Sequence, residues 1–168
     1  TETYNSTNDK EIKKVNLQVM KAFSMLYGAS HTEFIKCNDD GKVYFLETSS
    51  RVGGAHLDEM IEAATGINMW KEWAAIEHAL INGTIYNLPE NKQEYAGIVL
   101  TLSKFENPDL SSFNNPEVCF KVPLKYHAGL IVKSENRLKV LELLDDYATR
   151  LVKDFATSAQ QMDVKKLH

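Results

Sequence analysis

Two glutamates, Glu33 and Glu47, lie in neighbouring segments that the sequence predicts to be paired strands. Residues 30–37 and 43–50 are rich in β-branched and aromatic side chains, and the loop between them contains Gly41. If Gly41 is the left-handed residue of a three-residue loop, the two glutamates fall directly opposite each other. Their Cβ atoms are then about 5 Å apart, and the like charges repel. A bound cation would remove the repulsion, and Mg²⁺ typically takes one or two carboxylates together with water and phosphate oxygens.

The same register places other polar side chains beside this pair. His31 falls opposite Ser49, and both share the face of the two glutamates because side chains alternate along a strand. The Ser49 hydroxyl is a candidate third metal ligand. The register also places Ile35 opposite Phe45 on that face.

The residues that follow the second strand are suited to binding anions. The guanidinium of Arg51 can hold a phosphate through two hydrogen bonds. Gly53-Gly54 comes just before a predicted helix, where backbone N–H groups can approach an anion. His56 opens that helix.

Each of these residues also has a purely structural interpretation, and the pattern alone leaves both open. The two glutamates can point into solvent and away from each other, since acidic residues are common on exposed strand faces. Arg51 can form a surface salt bridge with one of them. Gly53-Gly54 can be a plain turn, and His31 and His56 can be bystanders.

The remaining elements predict an α+β fold around the hairpin. The expected domain organisation is a polar tail at 1–9, a lobe at 10–83, a strand-and-helix segment at 84–156 and a tail at 157–168. Asp9 is the expected N-cap of the first helix. The predicted helices are 10–27, 55–65, 68–82 and 135–156, and the further strands are 95–103, 118–124 and 128–133. The last helix is expected to turn inward Leu138, Leu141, Leu144, Ala148, Leu151 and Phe155.

Composition narrows the class of protein. The 168 residues are 43% hydrophobic with a net charge of −4, which argues against a nucleic-acid partner. No apolar run is long enough to span a membrane, and no signal peptide is visible. Cys37 and Cys119 predict reduced thiols and a cytoplasmic location. The chain begins with Thr, which is consistent with a piece of a longer protein.

The runs Gly28–Phe34 and Phe45–His56 resemble the C-terminal half of the ATP-grasp domain of carboxylate–amine ligases. This family includes L-amino-acid ligases, biotin carboxylase and the large subunit of carbamoyl-phosphate synthase. Its pattern is a Glu on one strand and Glu-x-Asn-x-Arg on the next, often followed by Gly-Gly. The match is strong over 28–83 and weaker over 95–156. It implies an antiparallel sheet with flanking helices and a small C-terminal hairpin-and-helix segment.

The resemblance also implies roles for the candidate residues. Glu33 and Glu47 match the two glutamates that bind Mg²⁺ or Mn²⁺. Ser49 stands where the family usually has Asn, and a hydroxyl is a poorer metal ligand than an amide oxygen. Arg51 matches the arginine that stabilises the phosphorylated carboxylate. The residues that the resemblance places on the substrate side are His31, Gly53, Gly54 and His56.

The implied parent protein is a ligase that forms C–N or C–C bonds. ATP converts a small carboxylate into an acyl-phosphate, and an amine or ammonia then displaces phosphate. The phosphate-binding lysines, glycine-rich lid and adenine hinge of the family lie before this segment, and only a polar tail and one helix precede Gly28. We therefore expect the chain alone to be inactive, with the other lobe supplied by the parent chain or a partner chain.

Two other functions fit the same residues. A non-catalytic binding or assembly domain derived from an ATP-grasp lobe would explain Ser49. A small metal-dependent hydrolase would use His31, Glu33, Glu47 and His56. The identity of the acid and the amine is not fixed by these motifs.

Overall fold

The computed structural model describes residues 2–156, so Thr1 and the predicted tail at 157–168 lie outside the described part. Within it the chain forms four helices and five strands in two antiparallel sheets, which confirms the α+β prediction. The elements are α1 (Thr7–Ala22), β1 (His31–Lys36), β2 (Val43–Ser49), α2 (Leu57–Thr65), α3 (Met69–Asn82), β3 (Tyr95–Leu102), β4 (Val118–Lys121), β5 (His127–Ser134) and α4 (Arg137–Phe155).

Helix α1 is shifted toward the N-terminus relative to the predicted range 10–27. Ser6, and not Asp9, is the N-cap, because the Ser6 hydroxyl accepts a hydrogen bond from the Asp9 N–H at 3.1 Å. Just beyond the helix, the ring of Phe23 lies 6.2 Å from the ring of Phe45 on β2. Helix α1 therefore covers one face of the hairpin formed by β1 and β2.

The hairpin has the predicted pairing at the end that carries the candidate site. Glu33 pairs with Glu47, and His31 pairs with Ser49. The loop is longer than predicted, since the backbone hydrogen bond that closes it runs from the Cys37 N–H to the Lys42 carbonyl at 2.9 Å. This leaves four residues in the loop, with Gly41 in the expected left-handed conformation (φ 68°).

A bulge at Leu46 shifts the strand register between the turn and the end of the hairpin that carries Glu33 and Glu47. After the pair Glu33–Glu47 the next pair is Phe34 with Phe45, so Leu46 has no partner. The predicted pairing of Ile35 with Phe45 is therefore wrong, and Ile35 pairs with Tyr44. The extra residue also turns Phe45 to the α1 face, where its ring lies 6.3 Å from that of Phe34.

Helices α2 and α3 end where the sequence predicted. Gly66 (φ 74°) and Gly83 (φ 62°) are left-handed C-caps, a conformation that glycine adopts without steric cost. The end of α2 is tied to the segment before β3 by backbone hydrogen bonds. The Lys92 N–H donates to the Thr65 carbonyl at 2.8 Å, and the Glu94 N–H donates to the Ala64 carbonyl at 3.0 Å.

The main core lies between the second sheet, ordered β3-β5-β4, and helix α4. The predicted inward stripe of α4 is wrong at Leu138, which is 70% exposed, and at Ala148, which is also exposed. The buried residues of this helix are Val140, Leu143, Tyr147, Leu151 and Phe155. The loop before β4 also enters this core through Leu110 and Phe113, and Phe113 is fully buried.

The structure bears on two predictions made from composition, those on membrane spans and on the cysteines. None of the helices within residues 2–156 is long and apolar enough to cross a membrane. Cys37 and Cys119 are both free thiols.

Candidate metal and phosphate site

The two carboxylates at the open face of the hairpin have no strong cationic partner in the part of the chain that the structure describes. Glu33 and Glu47 are paired across the strands and both are exposed. Within residues 2–156, no lysine or arginine forms an ion pair with either of them. The nearest basic group is His31, whose Nε2 lies 3.9 Å from the Glu33 Oε1. The pair therefore presents negative charge on the face opposite α1.

His31 connects the hairpin to the Gly53-Gly54 loop. A Cβ at Gly53 would lie 3.6 Å from the His31 Cγ and 3.3 Å from the Leu57 Cδ1. The absence of a side chain at Gly53 lets this ring and the start of α2 approach closely. Ser49, the cross-strand partner of His31, is partly buried beside it.

Arg51 folds back over its own loop. Its Nη1 donates to the Val52 carbonyl at 3.0 Å, and a Cβ at Gly54 would lie 4.0 Å from the same nitrogen. The alternative of a salt bridge from Arg51 to Glu33 or Glu47 is not formed. The guanidinium is exposed and retains donors for an incoming anion.

His56 is separated from the paired carboxylates by its own contacts. Its Nδ1 lies 3.2 Å from the Glu59 Oε1, and its ring lies 5.2 Å from the ring of Phe120 on β4. Neither partner was predicted. The His-x-x-Glu spacing at a helix start was a usable signal for Glu59, since residues three apart are neighbours on a helix. Nothing in the sequence near Phe120 indicates its contact with His56.

The oxygen donors of Glu33, Glu47 and Ser49 fit a hard cation that keeps part of its hydration shell. Two carboxylates and the hydroxyl of Ser49 supply only oxygen, and Mg²⁺ is usually held by one or two carboxylates plus water and phosphate. Within residues 2–156 no group of three or more His, Cys, Asp or Glu side chains is arranged to hold a metal ion. The four residues of the hydrolase hypothesis accordingly do not form one ligand cluster.

The fold around this hairpin is part of an ATP-grasp fold. The chain is similar to the L-amino acid ligase from Bacillus licheniformis, with a TM-score of 0.64 and 16% identity over 92% of this chain. It is also similar to the phosphoribosylglycinamide synthetase from Anaerococcus prevotii, with a TM-score of 0.51 and 20% identity over 91% of this chain. Both proteins are ATP-grasp enzymes. No family model and no curated protein matches the chain.

The likeness extends over only part of each solved structure. The match covers 41% of the L-amino acid ligase chain and 43% of the synthetase chain. This chain therefore spans about two fifths of the length of the proteins it resembles. The predicted resemblance to an ATP-grasp segment is confirmed at the level of the fold.

Proposed function

We propose that the chain carries the metal- and phosphate-binding part of an ATP-dependent ligase. In this proposal ATP activates a carboxylate as an acyl-phosphate, and an amine or ammonia displaces the phosphate. The observation that carries it is the opposition of Glu33 and Glu47 on an open sheet face without a lysine or arginine partner among the described residues. Two opposed carboxylates destabilise the chain when no cation is bound, because their like charges repel. A cation bound with ATP would remove this repulsion.

Each candidate residue then has a role. Glu33 and Glu47 hold Mg²⁺, with Ser49 as a third oxygen donor, and the bound metal supplies charge neutralisation at the phosphates. Arg51 releases the Val52 carbonyl and binds the transferred phosphoryl group. The Gly53-Gly54 loop and the start of α2 receive the substrate carboxylate, with His31 and His56 on the substrate side. Chemistry of this kind depends mainly on positioning and charge stabilisation.

The proposal treats the chain as one side of a shared site. The similar solved structures are more than twice as long, since the match covers 41% and 43% of their chains. The groups that bind the nucleotide from the other side are assigned to the rest of the parent chain or to a partner chain. The division into a lobe at 10–83 and a segment at 84–156, a cytoplasmic location and a carbamoyl-phosphate-synthase-like reaction all stay predictions.

The first test is calorimetric titration with Mg²⁺ and a non-hydrolysable ATP analogue. For the 168-residue chain we expect a Kd above about 1 mM, which corresponds to a binding free energy smaller than about 4 kcal/mol in magnitude. In the full-length parent we expect micromolar binding that Glu47→Gln abolishes and the control Glu142→Gln retains. Circular dichroism checks that both variants fold. Unchanged ATP turnover in Glu47→Gln would falsify the proposal.

A non-catalytic binding or assembly domain is the second candidate. Two observations favour it: Ser49 replaces the usual Asn, and Arg51 is bonded to its own loop at 3.0 Å. Metal binding that depends on both the nucleotide and the missing lobe supports the ligase. Failure to bind metal under those conditions supports the assembly domain.

A further inference from the structure

His56 is the second of two consecutive residues with a left-handed backbone. The φ angles are 54° at Ala55 and 62° at His56, and neither residue is glycine. This conformation is sterically unfavourable for a residue with a Cβ, and it persists where the surroundings hold it, often at functional sites. His56 is also the N-cap of α2, yet its side chain makes no capping hydrogen bond. The side chain is therefore directed to other partners.

Those partners hold the imidazole from two directions. The Glu59 carboxylate lies 3.2 Å from Nδ1, and the ring of Phe120 packs 5.2 Å away at an angle of 46°. Only 17% of the His56 side chain is exposed. A carboxylate next to Nδ1 accepts a hydrogen bond from that nitrogen when the nitrogen carries the ring proton. In the neutral ring this leaves Nε2 as the hydrogen-bond acceptor.

Glu59 is not arranged for stability alone. Its Oε2 is buried and has no hydrogen-bond partner within residues 2–156. An unpaired buried polar atom lowers the stability of a fold. The neighbouring carboxylate of Asp58 has a donor of its own, since its Oδ2 accepts a hydrogen bond from the Trp70 Nε1–H at 2.7 Å.

We propose that His56 is the general base for the attacking amine and that Glu59 is its positioning residue. This inference rests on the proposed ligase function. The amine nitrogen forms a bond to the acyl carbon, and the bond from that carbon to the phosphate oxygen breaks. Phosphate leaves with that oxygen and its electron pair. One N–H proton of the amine passes to Nε2 of His56, and the Glu59 carboxylate stabilises the resulting imidazolium.

The position of His56 in the chain agrees with this role. It follows the Gly53-Gly54 loop that is proposed to receive the carboxylate. His31 is the competing candidate, but its Nε2 faces Glu33 at 3.9 Å and its ring lies against Gly53. His31 therefore belongs to the carboxylate pair, whereas the carboxylate contact of His56 among residues 2–156 is made through Nδ1.

The first experiment measures the proton position directly on the 168-residue chain. Long-range ¹H–¹⁵N correlation spectra, recorded where the imidazole is neutral and assigned with His56→Gln, report which nitrogen carries the proton. We expect it on Nδ1 in the wild type and mainly on Nε2 in Glu59→Ala. Glu59→Gln should restore the Nδ1 form, because an amide oxygen still accepts. A proton on Nε2 in the wild type would overturn the role of Glu59, whatever the activity of the parent.

The second experiment compares two nucleophiles in the full-length parent. L-Amino acids serve as the carboxylates, and either hydroxylamine or a second amino acid serves as the amine. Hydroxylamine attacks acyl-phosphates without a strong base, so His56→Gln should lower the ratio of amide to hydroxamate about 10²-fold or more. His78→Gln, at an exposed position of α3, is the matched control and should leave the ratio unchanged. Equal loss of both products in His56→Gln overturns the base assignment. Absence of hydroxamate in the wild type contradicts the ligase function itself.

Discussion

Glu33 and Glu47 stay directly opposed although the two ends of their hairpin follow different registers. The four-residue loop sets the pairing next to the turn, and the unpaired Leu46 shifts β2 by one residue before Glu47 is reached. The bulge therefore aligns the carboxylates, and the hairpin places two like charges together at a position where an exposed strand pair does not need them.

Neutralising one carboxylate should stabilise the chain in the absence of metal. Glu33→Gln removes the cross-strand repulsion, and we expect the free energy of unfolding in urea to rise by about 0.5 kcal/mol. The matched control is Glu142→Gln on α4, an exposed glutamate near Lys139, which should not gain stability. A loss of stability in Glu33→Gln would show that the repulsion is absent.

Restoring an amide at position 49 should strengthen metal binding. An amide oxygen is a better ligand than a hydroxyl, so Ser49→Asn should lower the Kd for Mg²⁺ with nucleotide several-fold in the full-length parent, and Ser49→Ala should raise it. Titration calorimetry measures both. Equal affinities in all three proteins would remove Ser49 from the ligand set.

The loop before β4 should be as important to stability as the helices. Phe113 is fully buried, and its ring contacts Tyr147 at 5.1 Å and Phe155 at 6.3 Å. Phe113→Ala should lower the free energy of unfolding by about 3–5 kcal/mol. Leu138→Ala, at a 70% exposed position of α4, is the control and should change it little. Similar effects of the two substitutions would contradict the packing described for this loop.

The contact between Tyr86 and Glu72 should make stability depend on alkaline pH. Burial, and then the hydrogen bond to Glu72 at 2.8 Å, raise the pKa of Tyr86 from 10.0 to about 12. Because the folded-state pKa is the higher one, this contribution is complete below pH 10 and is lost as the pH rises through about 12.

Thermal unfolding between these pH values measures the effect. The melting temperature should fall more steeply with pH in the wild type than in Tyr86→Phe, which lacks the titrating hydroxyl. Tyr126→Phe, at a 52% exposed position, is the control and should keep the wild-type slope. Parallel slopes for wild type and Tyr86→Phe would mean that the phenol titrates equally in the folded and unfolded chain.

Local signals predicted much of this fold, and long-range packing accounts for what they missed. Gly66 and Gly83 ended their helices as expected, because left-handed caps are set by the residue itself. The Glu33–Glu47 pair was predicted correctly even though the loop length was not. The bulge could not be predicted, since it depends on Phe45 packing against Phe23, which lies just beyond α1.

The candidate site also combines features that local sequence predicts with features that long-range packing determines. The residues of the hairpin and the loop after it were visible as a pattern in the sequence, but the environment of His56 was not. Phe120 reaches His56 from β4, and nothing in the sequence around either residue indicates the contact. The buried stripe of α4 was misplaced for a related reason: a helix with apolar residues on several sides is oriented by the sheet it covers.

The bulge at Leu46 has a consequence for how related chains can be recognised. If Leu46 were deleted, Phe45 could still pair with Phe34 and Glu47 with Glu33, so both halves of the hairpin would keep their partners. The spacing from the turn to Glu47 can then vary by one residue between proteins while the carboxylates stay in place. A search pattern with a fixed number of positions between the two glutamates would miss such proteins, whereas superposition of their backbones would find them.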